Sequence, residues 1–336
     1  MRILLKNAWL LDADTYFRKD NVLIDGDMIR TSGISDSTDM TLDLAGYTLM
    51  PAVIDSHVHV SSRRGPSEKM LEGLASNGVL TVRDMGLLNN GSLEEYMAWL
   101  EDHKDPRYST VVTAGRYVDV PEGYGMGPDG MEWGIKVTDP EEVRQAVSYQ
   151  AGQGVYGIKT GLSDGYTGPV RKRIGEALLR EIACAAADNG IRSSAHIGRC
   201  EDLDLIVSCG IMDSAHTPGD GEISDKCIGE MVNKGISMIT TVGNMDEPCR
   251  FLPKGYESND QCRDHQEQML KNLKKYYDAG GMIGIGTDRQ DRDGSGGNTM
   301  IPVWEMKQLK GAGVPFAEVI RAATENGAKI CGIDDL

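Results

Sequence analysis

The sequence lacks any long apolar run. No uninterrupted stretch of its 336 residues approaches the ~20 apolar residues that a helix needs to cross a bilayer. The first seven residues turn polar too soon for a secretory signal peptide. We therefore expect no membrane partner and a cytoplasmic location.

Positive charge is also scarce. Lysine and arginine number 35 against 51 aspartates and glutamates, which gives a formal net charge of −16. An acidic surface is repelled by phosphate backbones and by anionic lipids. We therefore expect a small-molecule substrate and no nucleic-acid partner, and we leave open whether the chain forms a homo-oligomer.

Cysteines are few and show no useful spacing. There are seven, an odd number, and no two form a CxxC pair. This pattern argues against a disulfide framework and against a structural zinc site. Free thiols in a reducing compartment are the expected state.

What is present divides the chain into two parts. Residues 3–5 and 21–24 are short apolar runs, and Asp25-Gly26-Asp27 is a hairpin turn signal between strands. Residues 1–48 are therefore predicted to form a small β domain. The remaining residues, 49–336, are about the length of a (β/α)8 barrel.

Buried strands and amphipathic helices alternate after residue 49. The clearest helices are predicted over 141–153 and 174–189, where apolar residues recur at helical spacing. Eight strand-helix units in one run favour a closed parallel barrel of the TIM type over an open sheet. The predicted strands span 49–57, 79–84, 109–115, 155–160, 191–196, 211–216, 236–241 and 282–287.

Four of the six histidines stand at the ends of predicted barrel strands. His57 and His59 are two residues apart at the end of strand 1, so their side chains share one face. His196 ends strand 5 and His216 ends strand 6. Imidazole is the commonest metal ligand in proteins, so this clustering predicts a metal site at the C-terminal mouth of the barrel.

Two further ionisable residues end apolar strands. Asp288 follows strand 8, and a carboxylate buried there needs a cation or a hydrogen-bond donor beside it. Lys159 ends strand 4. A lysine in such a place is commonly a surface residue, but a neutral or carbamylated lysine that bridges two metals is the alternative that the nearby histidines favour.

These segments together resemble the amidohydrolase superfamily, and within it the imidazolonepropionase-like branch that includes Xaa-Pro dipeptidase relatives. The Asp-Ser-His-Val-His run at 55–59 and the Gly-Ile-Gly-Thr-Asp run at 284–288 carry the resemblance most clearly. The other matching segments lie at 51–54, 81–86, 156–159, 195–196, 214–216 and 322–328.

The resemblance implies a set of metal ligands. His57, His59 and Asp288 would hold a first divalent metal, and His196 and His216 would hold a second. Lys159, carboxylated by carbon dioxide, would bridge both as a carbamate. Zinc is the leading metal because imidazole and carboxylate ligands suit it, and manganese, iron and cobalt stay open.

The implied activity is hydrolysis of a C–N bond in an amide, a cyclic amide or a dipeptide. Hydroxide shared by the two metals would attack the carbonyl, and Asp288 would take its proton and pass one to the leaving nitrogen. Tyr124 and Arg199 are candidates for binding a substrate carboxylate, with exposed loop residues as the alternative.

The sequence departs from its relatives in three places. Gly198 stands where a second histidine usually follows the strand-5 ligand, and the loop Gly123-Tyr124-Gly125 replaces a Gly-His-Gly pattern. The chain ends at Leu336, where relatives return to the small β domain, so its last strands are expected to be absent or the sequence to be incomplete. These departures leave the substrate open.

Two other functions stay open. A deaminase of the same superfamily would use one metal, although such enzymes generally lack the bridging lysine. A non-catalytic barrel that serves as a binding protein would be expected to have lost metal ligands, and this chain keeps all six.

Overall fold

The computed structural model describes residues 1–11, 17–32, 34, 37–62, 65–127, 132–165, 170–243, 258–291 and 295–334. It divides into two compact units, Met1–Ala52 and Val53–Leu336. Among the described residues, no helix is long and apolar enough to cross a membrane.

The first unit is a small sheet. Its strands are β1 (Arg2–Leu11), β2 (Phe17–Asp25), β3 (Met28–Arg30), β4 (Met40–Asp43) and β5 (Thr48–Leu49). β2 runs antiparallel to β1 and β3, while β4 and β5 pair with β1 in parallel. Gly26, at φ 67°, makes the predicted turn between β2 and β3, because glycine adopts the left-handed region without strain.

The second unit alternates strands and helices along the chain. Its first half contains β6 (Val53–His59), β7 (Ser61–Ser62), β8 (Gly65–Pro66), α1 (Glu68–Ser76), β9 (Val79–Asp84), α2 (Leu93–Asp102), β10 (Thr110–Thr113), β11 (Tyr117–Asp119), a 3-10 turn (Tyr124–Met126), β12 (Gly134–Lys136) and α3 (Pro140–Gly152). Its second half contains β13 (Gly157–Gly161), α4 (Glu176–Asp188), β14 (Arg192–His196), α5 (Cys200–Cys209), β15 (Asp213–Ser214), α6 (Asp225–Lys234), β16 (Ser237–Ile239), α7 (Asn259–Asp278), β17 (Ile283–Gly284), β18 (Arg289–Gln290), α8 (Val303–Gly311), α9 (Phe316–Ala323) and α10 (Glu325–Cys331).

Parallel pairing closes these strands into the predicted (β/α)8 barrel. One ladder runs from β10 through β9 to β6 and β18, and another runs from β13 through β14, β15 and β16 to β17. The Tyr156 amide donates to the Thr113 carbonyl (3.0 Å), which joins the third barrel strand to the fourth. The Ser56 amide donates to the Ile285 carbonyl (2.7 Å), which joins the first to the eighth. The predicted barrel is confirmed.

The helices begin where the sequence offers caps. Asp139 accepts hydrogen bonds from the amides of Glu141 and Glu142, and Pro140 takes the first helical position of α3, where a missing N–H costs nothing. Gly210 ends α5 in the left-handed conformation. Helices over 140–152 and 176–188 confirm the predicted helical segments within two residues.

Two expectations need correction. The first barrel strand begins at Val53 and not at residue 49, because Thr48–Leu49 pairs with β1 instead. The cysteines are not all free thiols. In the part of the chain that the structure describes, five cysteines are free thiols and Cys262 is disulfide-bonded.

An ion pair crosses the barrel interior. Arg83 Nη1 lies 2.9 Å from Asp213 Oδ2, both side chains are fully buried, and Arg83 Nε donates to the Ser56 carbonyl (2.6 Å). Removing one partner of such a pair leaves the other charge uncompensated. The pair therefore fixes β9 against β6 and β15 beneath the barrel mouth.

We expect Asp213→Asn to lower the free energy of unfolding by about 3–5 kcal/mol, the usual cost of breaking a buried pair. Urea titration followed by circular dichroism measures it. Asp105→Asn, which breaks the exposed pair with Arg107, is the control and should change stability far less. A double variant with both partners apolar, Arg83→Met with Asp213→Leu, should recover much of the loss. An Asp213→Asn protein as stable as the wild type would contradict the assignment.

Candidate metal centre

His57 and His59 lie side by side on β6, the first barrel strand. Both are buried, and their ring centroids are 5.4 Å apart. His57 Nδ1 lies 2.9 Å from the Ala215 carbonyl and His59 Nδ1 lies 2.8 Å from the Gly86 carbonyl. With Nδ1 donating to a carbonyl, each ring keeps Nε2 as the nitrogen that can bind a cation.

His196 and His216 extend the same cluster from β14 and from the residues after β15. The ring of His216 lies 4.8 Å from that of His57 and 4.4 Å from that of His196, measured between centroids. His216 Nδ1 lies 2.9 Å from Thr241 Oγ1, so its Nε2 also points away from its anchoring partner. The four predicted histidines therefore form one continuous group.

Asp288 adjoins three of these histidines. Its Oδ1 lies 3.4 Å from His57 Nε2 and 3.3 Å from His59 Nε2. One ligand atom each from His57, His216 and Asp288 fall within 4.8 Å of one another, a separation that one metal ion could bridge. The side chain as a whole is 39% exposed, but Oδ1, the oxygen beside the imidazoles, is buried and has no hydrogen-bond partner among the described residues.

The backbone at Asp288 is held in an unusual conformation. Its φ is 51°, in the left-handed region, where aspartate and asparagine are the most tolerated non-glycine residues. The preceding Thr287 is fixed by Asp55, which accepts hydrogen bonds from the Thr287 amide (3.0 Å) and hydroxyl (2.7 Å). Arg289 pairs with the same carboxylate at 3.2 Å. This network fixes the position of the backbone from which the Asp288 side chain extends.

Lys159, on β13, is fully buried. Among the residues that the structure describes, its Nζ has no hydrogen-bond partner. Burial lowers the pKa of Lys159 to about 7, so both the ammonium and the neutral amine are populated near neutral pH. An unpartnered buried amine is costly, which indicates that a group absent from the chain satisfies it.

The electrostatics of the cluster favour neutral imidazoles. Burial lowers the pKa of His57, His196 and His216 well below the usual value, and the charge of Lys159 lowers each further. Burial works to raise the pKa of Asp288, but His59, His216 and Lys159 together outweigh it and the pKa is lowered. Neutral imidazoles and an ionised carboxylate are the states that bind metal.

The two predicted substrate-binding residues have different surroundings. The Tyr124 ring stacks on His196, with centroids 3.9 Å apart and planes 16° from parallel. Arg199 pairs with Asp164 (3.1 Å) and Glu201 (3.5 Å), and its side chain is 43% exposed. The structure thus places Tyr124 against His196, whereas Arg199 is paired with Asp164 and with Glu201 of α5.

Sequence reasoning missed the residues that orient the histidines. Thr241, the partner of His216, has a φ of 39°, a strained value for a β-branched residue. The next two amides, Val242 and Gly243, donate to the buried Glu305 carboxylate of α8 at 3.0 and 2.7 Å. Burial raises the pKa of Glu305 to about 7. No local motif marks either residue, because both act through contacts distant in sequence.

Comparison with known proteins gives one family match. A model described as the amidohydrolase family matches residues 48–336, which include all six residues of the cluster. A search of curated proteins found no match.

Several solved structures share the fold. An uncharacterized protein aligns with a TM-score of 0.82 at 21% identity, over 100% of this chain and 88% of its own. An amidohydrolase aligns at 0.81 and 23%, over 100% and 88%. A Xaa-Pro dipeptidase with bound methionine in its active site aligns at 0.79 and 19%, over 100% and 90%. At these identities the likeness extends to the fold alone.

Proposed function

Because the chain belongs to the amidohydrolase family, we propose that it is a binuclear metal-dependent hydrolase that cleaves the C–N bond of an amide, a cyclic amide or a dipeptide. One observation carries the proposal. Four imidazoles, an unpartnered buried lysine and a carboxylate come together at the C-terminal mouth of the barrel, where barrel enzymes place their chemistry.

The donor set fits two divalent cations. His57, His59 and Asp288 would hold one, and His196 and His216 the other. Lys159 would bridge them as a carbamate, which forms when its neutral Nζ attacks carbon dioxide and loses a proton. Carbamylation would convert this unpartnered buried amine into a group whose two oxygens could bind the cations. Zinc is the leading metal for this mixture of nitrogen and oxygen ligands.

When bound, two cations lower the pKa of a shared water towards neutrality and polarise a carbonyl oxygen. The chain's own contribution is proton transfer and orientation. The Asp288 carboxylate, which is ionised and partly exposed, would take the proton of the attacking water and then deliver it to the leaving nitrogen. Asp55 holds Asp288 in place through Thr287.

Tyr124 and Arg199 are the residues that we propose for substrate binding. Tyr124 lies against His196 and would line the pocket. Arg199 would reach a substrate carboxylate if it exchanged its present partner, Asp164. We propose a small-molecule substrate. The absence of nucleic-acid and membrane partners and the cytoplasmic location remain predictions, and whether the chain forms a homo-oligomer stays open.

Metal analysis tests the proposal. Protein grown in zinc-supplemented medium should contain about two equivalents of metal per chain, and exhaustive chelation should abolish hydrolysis in a screen of dipeptides, hydantoin-like rings and lactams. Readdition of zinc should restore it. His59→Asn should lose metal, whereas His103→Asn, which replaces a histidine at the end of α2 beside Glu68, should retain both ions.

The outcomes separate the alternatives. One equivalent per chain, with activity on an aminated ring, would favour a mononuclear deaminase. A chain that binds no metal under these conditions would overturn the proposal.

A further inference from the structure

Asp119 is a buried carboxylate with no role in the proposed chemistry. Asp119, the last residue of β11, is fully buried. Its Oδ1 accepts the amide of Val120 (2.7 Å) and its Oδ2 accepts the amide of Gly125 (2.8 Å). Burial raises the pKa of Asp119 to about 7, and these two amides are what favours its ionised form. The carboxylate therefore ties the start of the 120–125 loop to its end.

The loop that Asp119 closes carries Tyr124. Because the Gly125 amide is held, the peptide that follows Tyr124 is fixed, and the phenol ring lies flat on His196. The neighbouring Tyr117 ring meets it edge-on, with centroids 6.4 Å apart. Tyr124 thus has a defined place between an aromatic neighbour and a proposed metal ligand.

Glycines leave the space that this arrangement needs. A Cβ at Gly123 would lie 2.6 Å from the Asp119 carboxylate, and a Cβ at Gly161 would lie 2.8 Å from the Tyr124 ring. Real Cβ atoms do not approach so closely, so any side chain at either position would displace its neighbour. The loop is thus packed tightly against both the carboxylate and the barrel strand β13.

We infer that Asp119 is a positioning residue that holds the Tyr124 ring against His196. The ring restricts the rotation of that imidazole and forms one wall of the pocket. Asp119 touches neither substrate nor metal, and it acts through the Gly125 amide. The inference rests on the proposed function, since the consequence of a fixed His196 is a fixed ligand for the second metal.

A double-mutant cycle tests the coupling. Asp119→Asn keeps the shape but turns an amide NH2 towards one of the two backbone donors. It should lower kcat/KM about ten-fold, the loss of one hydrogen bond to a charged acceptor. Tyr124→Ala should lower it at least as much, and Tyr124→Phe should retain most activity because the ring remains. If Asp119 acts through Tyr124, the double variant should match Tyr124→Ala within about twofold.

A second readout does not depend on turnover. With cobalt in place of zinc, the visible absorption spectrum reports the ligand geometry of the bound ion. Asp119→Asn and Tyr124→Ala should change this spectrum in the same way, and the double variant should add no further change. Asp139→Asn is the matched control, because that carboxylate also accepts two backbone amides but caps α3. Its spectrum and kcat/KM should be those of the wild type.

The result that overturns the inference is additivity. If the two substitutions multiply in kcat/KM and change the spectrum independently, or if Asp119→Asn changes neither, Asp119 does not act through Tyr124. Should Asp119→Asn fail to fold, Gly161→Ala displaces the ring from the opposite side and must reproduce the Tyr124→Ala spectrum. A wild-type chain that binds cobalt but hydrolyses no probe defeats the proposed function alone, since the spectral cycle still decides the positioning role.

Discussion

Asp288→Asn is expected to lower kcat of the zinc-loaded protein by about 10²–10⁴-fold, the range for loss of a general acid–base group. The amide cannot take a proton from the attacking water, and it cannot pass one to the leaving nitrogen. Steady-state kinetics on whichever probe the substrate screen identifies measures the effect.

The fold should survive this substitution. Asp288 has a left-handed φ of 51°, and asparagine is among the few residues that adopt that region at little cost. The Asp55–Thr287 hydrogen bonds that position the strand end do not involve the replaced atoms. Circular dichroism and thermal unfolding should therefore be close to those of the wild type, which an alanine variant would not guarantee.

Two comparisons make the result decisive. Asp278→Asn, which removes an exposed partner of Lys274 on α7, should leave kcat unchanged. Metal content must be measured in parallel, because Asp288 is also a proposed ligand. A variant that retains both ions and hydrolyses the probe at the wild-type rate would refute the assigned role. A rise in KM with unchanged kcat would mean that Asp288 contributes to substrate binding only.

The barrel could be predicted from the sequence because its strands are short, buried and separated by amphipathic helices. Two residues limited the accuracy at the first strand. Met50 and Ala52 extend the apolar run upstream of Val53, so the pattern alone places the strand start too early. Pairing decides the boundary, because Thr48 lies beside Trp9 of β1.

The histidines could be predicted because their strand positions are visible in the sequence. His57 and His59 share a face by their spacing, and His196 ends its strand where a parallel barrel converges. Their orientation could not be predicted, because the partners that fix it, the Gly86 carbonyl and Thr241, are brought near only by the tertiary fold.

Buried carboxylates show the same limit. Asp119 and Glu305 each hold two loop amides, yet nothing in their neighbouring residues distinguishes them from solvated acids. Asp288 was expected to be buried because it follows an apolar strand, and this holds for Oδ1 but not for the side chain as a whole, which is 39% exposed. Burial at a strand end depends on the loops around it, which the periodicity of one strand does not report.

Lys159→Met is expected to reduce bound metal from about two equivalents to one or fewer, and to lower kcat by at least about 10³-fold, as expected when metal-assisted activation of water is lost. Methionine nearly matches the volume of lysine but cannot form a carbamate. Because Lys159 is fully buried and its Nζ has no partner in the described part of the chain, replacing it removes a buried polar group and should not destabilise the fold. The measurements are metal analysis, kinetics and thermal unfolding, with Lys104→Met, at an exposed site on the surface, as the control.

The carbamate gives this prediction a second, independent signature. Wild-type apoprotein reloaded with zinc in carbon dioxide-free buffer should recover activity slowly, and added bicarbonate should accelerate the recovery. Labelled bicarbonate should yield a carbamate carbon resonance in the wild type that Lys159→Met lacks. If the variant keeps two ions and near wild-type turnover, Lys159 is no bridge. The lowered pKa of Lys159, about 7, would then reflect burial alone, and the two cations would have to be held without it.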